Sequence, residues 1–380
     1  MATLAMSVLA FTKERQSAFD ELLFEICEAL QITSTQHQKA EDRYKTIGKV
    51  ITAFPGFAGL APEIYSQGSM KLRTTTKPIG GPFDLDFVCE FTISHKLVNP
   101  LALLDEMFSV FKTNSIYENM VEKKNRCIRV VYRDEFYLDI LPACRDHLNG
   151  GTCIQVPDRE VRGWSASNPI AYAKWFGGRA TSRRIVKAMD SMEPLPSLQS
   201  AEEKEVLQLA VQLLKRWRDL YYSDSDYPPI SIVLTTLAAN YYEGESSISL
   251  ALLNVLDSIV SELNSAHANG HRLRISNPVH PEEDFSERWN DRTGAYSEFD
   301  RGISRFADRW REVCMKPGNP NKDFEELFGR EVANTAISAR ANKVQNLRES
   351  GALGIRRNGM IAPVVSSVSP MLRNTNHGCL

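Results

Sequence analysis

The 380-residue chain lacks the features of membrane, disulfide-rich and zinc-binding proteins. No apolar run is long enough to span a bilayer, so we expect no membrane segment. The seven cysteines include no Cys-x-x-Cys pair, and their odd number argues against a disulfide framework. Residues 1–11 are mildly apolar but have neither a basic start nor a clear small-residue cleavage site. The sequence therefore predicts a cytoplasmic protein with reduced thiols and no structural zinc.

The chain also has no excess of basic charge. Its 45 lysines and arginines are offset by 47 aspartates and glutamates, which gives a formal net charge of −2. A protein that binds duplex nucleic acid typically concentrates basic residues on one face and has a raised isoelectric point. Basic residues do recur over 123–133 and 159–187, and we interpret some of them as lining the mouth of a cleft that attracts anions. We therefore expect no nucleic-acid activator.

Two aspartates interrupt a segment that otherwise has the pattern of a buried strand. Residues 85–91 alternate and are rich in apolar and aromatic side chains, which predicts a strand whose side chains at i and i+2 point the same way. Asp84 and Asp86 then share one face, where two like charges repel each other unless a cation lies between them. Hard oxygen ligands suit Mg²⁺. The pair predicts a divalent-cation site, although an isolated Asp-x-Asp is also common by chance.

A third carboxylate, Asp139, lies in a later apolar segment. Residues 126–132 and 136–142 flank a turn at 133–135, a pattern that predicts a hairpin. Because an ionised carboxylate buried without a partner is costly, we expect Asp139 to be a third metal ligand. Three carboxylates on neighbouring strands can hold two cations about 3.5–4 Å apart, the arrangement that supports in-line phosphoryl or nucleotidyl transfer.

A short glycine-containing turn, Gln67-Gly68-Ser69, precedes these carboxylates. Glycine lets backbone N–H groups approach an anion closely, and the serine hydroxyl adds a donor. A Gly-Ser pair by itself is far more often an ordinary surface turn. Its order and spacing relative to the aspartates carry the prediction of a phosphate-binding turn.

The order Gly-Ser, Asp-x-Asp and later strand Asp resembles the nucleotidyltransferases of the DNA polymerase β superfamily. The segments 67–69, 74–78, 83–89 and 167–176 are similar to the bacterial CD-NTases, which are DncV-like relatives of cyclic GMP-AMP synthase and oligoadenylate synthase. The resemblance covers residues 40–289. It implies an α+β fold in which a polymerase β-like nucleotidyltransferase sheet with helices packs against an α-helical lobe, with the active site in the cleft between them.

This resemblance also implies an activity and its site residues. The implied enzyme is a cyclic di- or trinucleotide synthase that joins ribonucleoside triphosphates, ATP among them, with release of pyrophosphate. The implied cofactor is a pair of Mg²⁺ ions, for which Mn²⁺ can substitute. The implied metal ligands are Asp84, Asp86 and Asp139, and the implied nucleotide-binding residues are Gln67, Gly68, Ser69, Lys215 and Ser231.

The implied biological role is anti-phage (CBASS) defence, in which the product is a second messenger that activates a separate effector protein. In related synthases a ubiquitin-transferase-like enzyme joins the C-terminus to targets, and Gly378 makes the same modification a hypothesis here. Two alternatives stay open: a template-independent linear nucleotidyltransferase such as an oligoadenylate synthase, and a catalytically silent nucleotide sensor. The bases, the ring size and the linkage of the product also stay open.

We divide the chain into a catalytic lobe with N-terminal helices (1–160), a helical lobe that completes the cleft (161–345) and a flexible tail (346–380). Helices are predicted over 14–32, 38–54 and 230–242. A capping box at Ser200–Glu203 predicts the start of another helix, whose apolar period continues to Tyr221. We interpret His147 and His280 as surface residues, and the turn-rich segment 277–285 as a loop between the lobes.

Overall fold

The computed structural model describes residues 12–133, 135–181, 193–292, 294–355, 361–363 and 369–370. These residues form two lobes around two main hydrophobic cores, one against a mixed sheet and one inside a helical bundle. The predicted α+β fold is therefore confirmed. Across these ranges, every helix is too short or too polar to cross a membrane.

The first lobe, which we call the sheet lobe, is built on a seven-stranded sheet. Its strands are β1 (Glu63–Ser66), β2 (Phe83–Phe91), β3 (Val121–Lys123), β4 (Ile128–Tyr132), β5 (Phe136–Arg145), β6 (Ile154–Asp158) and β7 (Gly163–Ser167). The spatial order is β1-β2-β5-β4-β3, with β6 pairing to β5 and to β7. β2 and β5 run parallel, whereas the other neighbours are antiparallel. β4 and β5 form the predicted hairpin.

Up to residue 180, the described α-helices are α1 (Lys13–Leu30), α2 (Ser34–Thr52), α3 (Gly68–Leu72), α4 (Pro100–Lys112) and α5 (Pro169–Ala180). α2 and α4 pack their apolar faces into the core of the sheet lobe, and Tyr44 of α2 stacks on Phe87 of β2. α1 instead packs Phe19, Leu22 and Leu23 into the core of the helical lobe. Both predicted N-terminal helices are present, but the first belongs by its packing to the second lobe.

The helical lobe has a densely aromatic core. Its helices are α6 (Val206–Tyr221), α7 (Ser231–Tyr241), α8 (Ile248–Ala268), α9 (Arg288–Asp291), α10 (Ala295–Met315), α11 (Asn321–Phe328) and α12 (Arg330–Glu349). Trp217 of α6 stacks on Phe306 of α10, with ring centroids 4.4 Å apart. Stacked aromatic rings bury large apolar areas and hold helices in register. α6 is therefore firmly anchored, which matters because its other face lines the cleft.

Two local predictions are wrong. The capping box at Ser200 closes only a single 3₁₀ turn, Ala201–Glu203; Lys204 is extended, and a second capping box between Glu205 and Gln208 starts α6. Residues 277–285 are not an irregular loop, because β8 (Ser276–Asn277) and β9 (His280–Asp284) pair as an antiparallel hairpin. Both errors arise because a local motif does not reveal how far regular structure extends.

The three-part division of the chain stays a prediction. α12 continues past the predicted start of the tail at residue 346 and ends at Glu349. It is followed by short paired strands, β10 (Leu353–Ile355), β11 (Ile361–Pro363) and β12 (Ser369–Pro370). The N-terminal segment 1–11, the basic residues 183–187 and Gly378 lie outside the described residues. The six cysteines in the described ranges are not joined in disulfides.

Candidate active site

The predicted phosphate-binding turn connects β1 to α3. Gly68 has a φ of +59°, a left-handed conformation that glycine adopts without steric cost. A Cβ atom at this position would lie 2.4 Å from Asp86 Oδ2. The backbone N–H of Gln67 donates to the backbone carbonyl oxygen of Asp86 at 2.9 Å. Glycine therefore allows the turn to lie directly against the second aspartate.

The three predicted metal ligands lie on the neighbouring strands β2 and β5. Asp84 and Asp86 flank Leu85, which is fully buried, and the two carboxylates therefore share the opposite face of β2, as predicted. In the parallel pairing of β2 with β5, Asp86 is opposite Asp139. The register thus brings the third carboxylate beside the first two.

Asp139 has a partner that the sequence did not reveal. Arg129 is opposite Asp139 in the β4–β5 pairing. It donates from Nε to Asp139 Oδ1 at 2.7 Å and from Nη2 to Asp139 Oδ2 at 2.8 Å. Its Nη2 also donates to Asp84 Oδ1 at 3.2 Å. The premise that Asp139 is buried without a partner is wrong, so its role as a metal ligand rests on its position beside Asp86.

The electrostatics of the three carboxylates favour an added cation. Burial, together with repulsion from Asp139 and Asp84, raises the pKa of Asp86 to about 7. Burial also raises the pKa of Asp84, against the lowering effect of Arg129. Within the described residues, no three His, Cys, Asp or Glu side chains are already arranged as a metal site. Asp84 and Asp86 nevertheless fit a divalent cation, because a second positive charge would relieve this repulsion.

A cavity of about 320 Å³ opens beside the aspartates and extends to the helical lobe. Six of the predicted site residues line it: Gly68, Ser69, Asp84, Asp86, Lys215 and Ser231. Gln67 and Asp139 do not line it, but they contact the group through the Asp86 backbone and through Arg129. Gly68 and Lys215, which are 147 positions apart in the sequence, thus line the same cleft.

Lys215 and Ser231 form the helical wall of this cavity. The buried Lys215 ammonium donates from Nζ to the Thr74 carbonyl oxygen at 2.9 Å. Burial, with the adjacent Arg218 as the second cause, lowers the pKa of Lys215 to about 8. Ser231 is the first residue of α7, and its hydroxyl accepts a hydrogen bond from Arg218. The wall therefore offers the Lys215 ammonium to a negatively charged ligand, whereas the neighbouring Arg218 is already paired with Asp219, which also lines the cavity.

α6 also holds the segment that follows the phosphate-binding turn. Gln208 donates to the Leu72 carbonyl oxygen at 3.0 Å, and the fully buried Gln212 donates to that of Thr75 at 2.7 Å. With Lys215, these side chains form a polar row one helical turn apart, which we call the α6 row. We missed this row, although polar residues at i, i+4 and i+7 of an apolar helix were a readable signal.

The threonines of residues 74–76 are further site residues that sequence reasoning missed. All three line the cavity, and the Thr75 hydroxyl donates to Ser69 Oγ at 3.2 Å. Thr74 Oγ1 is buried and has no hydrogen-bond partner within the described residues. A buried hydroxyl without a partner is unusual in a folded protein. Its position in the cavity wall fits a site that binds a polar ligand.

The two histidines differ from one another. His147 is exposed, as predicted. His280 is buried, so the prediction of a surface position is wrong; its Nδ1, on β9, lies 3.9 Å from the sulfur of Cys153, the residue that precedes β6. This contact joins residues that are far apart in sequence, and neither of them lines the cavity.

Comparisons with known proteins agree with this geometry. Residues 15–179 match the family model of the Second Messenger Oligonucleotide or Dinucleotide Synthetase domain. The chain is 30% identical over 377 residues to a c-di-GMP synthase of Roseivirga ehrenbergii, covering 97% of this chain and 100% of the relative. It is 26% identical to the cyclic dinucleotide synthase CdnG of Bradyrhizobium diazoefficiens, covering 90% of this chain and 87% of the relative.

The fold is shared with a solved structure of the same relative. The Bradyrhizobium diazoefficiens CdnG structure in complex with GTP superposes with a TM-score of 0.69 at 24% identity, covering 85% of this chain and 99% of that one. The end-to-end match to the Roseivirga synthase confirms the family that the sequence resembles. This chain belongs to the bacterial CD-NTases, nucleotidyltransferases that synthesise cyclic-nucleotide second messengers.

Proposed function

We propose that this CD-NTase makes a cyclic dinucleotide from ribonucleoside triphosphates, with GTP as one substrate, by metal-assisted nucleotidyl transfer. The observation that carries the proposal is the convergence of a glycine-serine turn, two carboxylates and a buried lysine on one cavity. Each of these groups suits one part of a nucleoside triphosphate bound with a divalent cation. The α6 row of the helical lobe holds the turn segment in place.

The choice of GTP rests on the relatives. The Roseivirga ehrenbergii protein, which matches this chain end to end, is a c-di-GMP synthase. The CdnG structure that shares this fold contains GTP. Cyclic di-GMP is therefore the product that we expect. A cyclic dinucleotide with one guanine and one other base would change the assignment of the second base but not the proposed reaction.

In this proposal the phosphates lie between the turn and the helical wall. The backbone N–H groups of the turn and the Ser69 hydroxyl donate to phosphate oxygens. Lys215 supplies a positive charge from the opposite side, and such charge-assisted contacts stabilise the transferring phosphoryl group. Residues of both lobes line the cavity, an arrangement that would help to keep the two nucleotides aligned for reaction.

Asp84 and Asp86 would hold Mg²⁺, and Asp139 would join them as the third carboxylate. The two ions would neutralise charge on the phosphates and promote ionisation of the attacking ribose hydroxyl. Mn²⁺, which prefers similar oxygen ligands, would replace Mg²⁺. The raised pKa of Asp86 supports this assignment, because the carboxylate cluster is destabilised until a cation joins it.

The activity is tested with purified protein, the four labelled ribonucleoside triphosphates and Mg²⁺ or Mn²⁺. After phosphatase treatment, the surviving products are identified by mass spectrometry. The variant Asp84→Ala/Asp86→Ala should form no product. The chain offers a matched control, Asp224→Ala/Asp226→Ala, which removes an exposed Asp-x-Asp that does not line the cavity and should leave the products unchanged.

The possible products separate the proposal from its alternatives. Phosphatase-resistant products containing guanine support it. Products with only linear, phosphatase-sensitive ends would indicate a linear nucleotidyltransferase. If the folded wild-type protein binds nucleotide but forms no product, it would be a silent sensor.

We also propose that the product activates a separate effector protein in anti-phage defence. The proposal rests on the family of the chain. Phage plating efficiency on cells that produce this protein and its effector should rise when the Asp84→Ala/Asp86→Ala variant replaces the wild type. Conjugation of the C-terminus at Gly378 is a separate proposal, and mass spectrometry that finds only the free C-terminus in infected cells would contradict it.

A further inference from the structure

We propose that Arg129 is a resident counter-cation of the carboxylate site, and that it must release Asp139 and Asp84 before all three aspartates can hold divalent ions. The inference rests on the proposed metal-assisted function and adds a residue that opposes metal binding. Its prediction is specific: the metal enters together with the nucleotide rather than before it.

The guanidinium lies where an added cation would be drawn. It makes two parallel hydrogen bonds to the Asp139 carboxylate, at 2.7 and 2.8 Å, and a third to Asp84 at 3.2 Å. Its central carbon lies 4.6 Å from the centroid of the Tyr137 ring. Arg129 therefore bridges Asp139 and Asp84, and Asp86 adjoins both, two residues after Asp84 on β2 and opposite Asp139 in the β2–β5 register.

This arrangement opposes metal binding for two reasons. The paired hydrogen bonds engage both oxygens of Asp139, which leaves fewer lone pairs for an ion. A divalent ion would also be repelled by a guanidinium that stays beside the same carboxylates. Arg129 cannot relieve this repulsion by losing its proton, because arginine remains charged in proteins. The side chain must therefore move when the metal binds.

The structure provides a place for the displaced side chain. The Arg129 side chain is about a quarter exposed, so its route to solvent is open. Glu122 of β3 is directly opposite Arg129 in the β3–β4 pairing; it is largely exposed and pairs with the exposed Lys124, with which a displaced Arg129 would share it. A rotation away from Asp139 would bring the guanidinium towards this carboxylate. The sheet thus offers Arg129 a carboxylate on each side.

A nucleoside triphosphate changes the balance between these two positions. Its phosphates bring negative charge into the cavity that Asp84 and Asp86 line, and that charge offsets the repulsion between the metal and the remaining cations. Arg129 would then offset part of the negative charge of the site at rest and yield only to a metal–nucleotide complex. The consequence is weak metal binding by the protein alone and strong coupling between metal and nucleotide.

The test uses Mn²⁺ alone as the probe, with free Mn²⁺ measured by electron paramagnetic resonance in titrations of the full chain without nucleotide. We expect Arg129→Gln to bind Mn²⁺ at least tenfold more tightly than the wild type. The matched control is Arg145→Gln, which removes another β-strand arginine that bridges two carboxylates, Glu90 and Glu63, outside the cavity lining. It should leave Mn²⁺ affinity unchanged.

Further variants keep the result interpretable. Arg129→Lys retains the charge but not the paired hydrogen bonds, so its Mn²⁺ affinity should lie between those of the wild type and Arg129→Gln. Adding a non-hydrolysable GTP analogue should tighten Mn²⁺ binding more in the wild type than in Arg129→Gln. A merely structural role for Arg129 predicts the opposite direction, since a damaged site would bind Mn²⁺ more weakly.

The outcomes distinguish this inference from the proposed function. Equal or weaker Mn²⁺ affinity in Arg129→Gln, with binding still lost in Asp84→Ala/Asp86→Ala, would overturn the role of Arg129 and leave the metal site in place. No Mn²⁺ binding by the wild type or any variant, even with the GTP analogue, would overturn both.

Discussion

The lack of space for a side chain at Gly68 gives the sharpest prediction. A Cβ atom at Gly68 would lie 2.4 Å from Asp86 Oδ2, and the next two contacts, at 3.2 and 3.3 Å, are also with the Asp86 side chain. Ordinary contacts of a Cβ atom begin near 3.4 Å. In Gly68→Ala either the carboxylate or the turn must therefore move by about 1 Å, a displacement that can cost about 100-fold in rate when it affects a reacting group.

The same substitution also strains the backbone, and the two effects can be separated. Alanine at φ +59° costs about 1–2 kcal/mol relative to glycine in this region. Gly151 has nearly the same φ, +62°, but its Cβ position has no atom within 4 Å. Gly151→Ala is thus a control that imposes similar strain without the contact to Asp86.

The assay is pyrophosphate release under saturating GTP and Mg²⁺, with thermal unfolding of each variant measured alongside. We expect both variants to unfold at temperatures a few degrees below the wild type, and only Gly68→Ala to lose about 100-fold in kcat. A Gly68→Ala enzyme whose kcat stays within threefold of the Gly151→Ala value would refute the argument that Asp86 must keep its position against the turn.

Three further predictions concern charge and hydrogen bonding in the cleft. Lys215→Met should raise the KM for GTP at least tenfold, because a phosphate loses its cationic contact; an unchanged KM in initial-rate measurements would count against this role. Because the pKa of Asp86 is raised in the folded state, its ionisation lowers the stability of the metal-free protein as the pH rises from about 4 to about 7. The stabilising effect of Asp86→Asn, measured by urea unfolding in the presence of a chelator, should therefore be larger at pH 8 than at pH 5. Equal effects at the two pH values would contradict the raised pKa. Gln212→Leu should lower the free energy of unfolding by about 1–3 kcal/mol, because it leaves the Thr75 carbonyl oxygen without its buried donor and removes one of the contacts of Gln31; a loss below about 0.5 kcal/mol in the same urea assay would show that the contact is dispensable.

The parts of the site that the sequence predicted correctly depend on local patterns. Asp84 and Asp86 share a face because alternation along a strand has a period of two. The β4–β5 hairpin follows from two short apolar segments around a turn, and Gly68 follows from its place before them. The family resemblance added Lys215 and Ser231, which residue patterns alone would not have connected to the turn.

The parts that the sequence did not predict depend on contacts between distant segments. Arg129 pairs with Asp139 because of the β4–β5 register, and the sequence gives no reason to prefer Asp139 over solvent as its partner. His280 is buried because a hairpin packs it near Cys153, which is 127 residues away. The capping box at Ser200 was a correct local motif, but the extended conformation of Lys204 ended its turn at once.

The α6 row has a consequence for how the protein can be divided. Gln208, Gln212 and Lys215 supply hydrogen-bond donors to carbonyl oxygens of the segment that follows the phosphate-binding turn. A catalytic lobe expressed without the helical lobe would leave those carbonyl oxygens without their donors and would expose the apolar surface of α1. The smallest fragment that we expect to fold and function is thus the pair of lobes. A chimera that takes its helical lobe from a relative must keep the three donors of the α6 row.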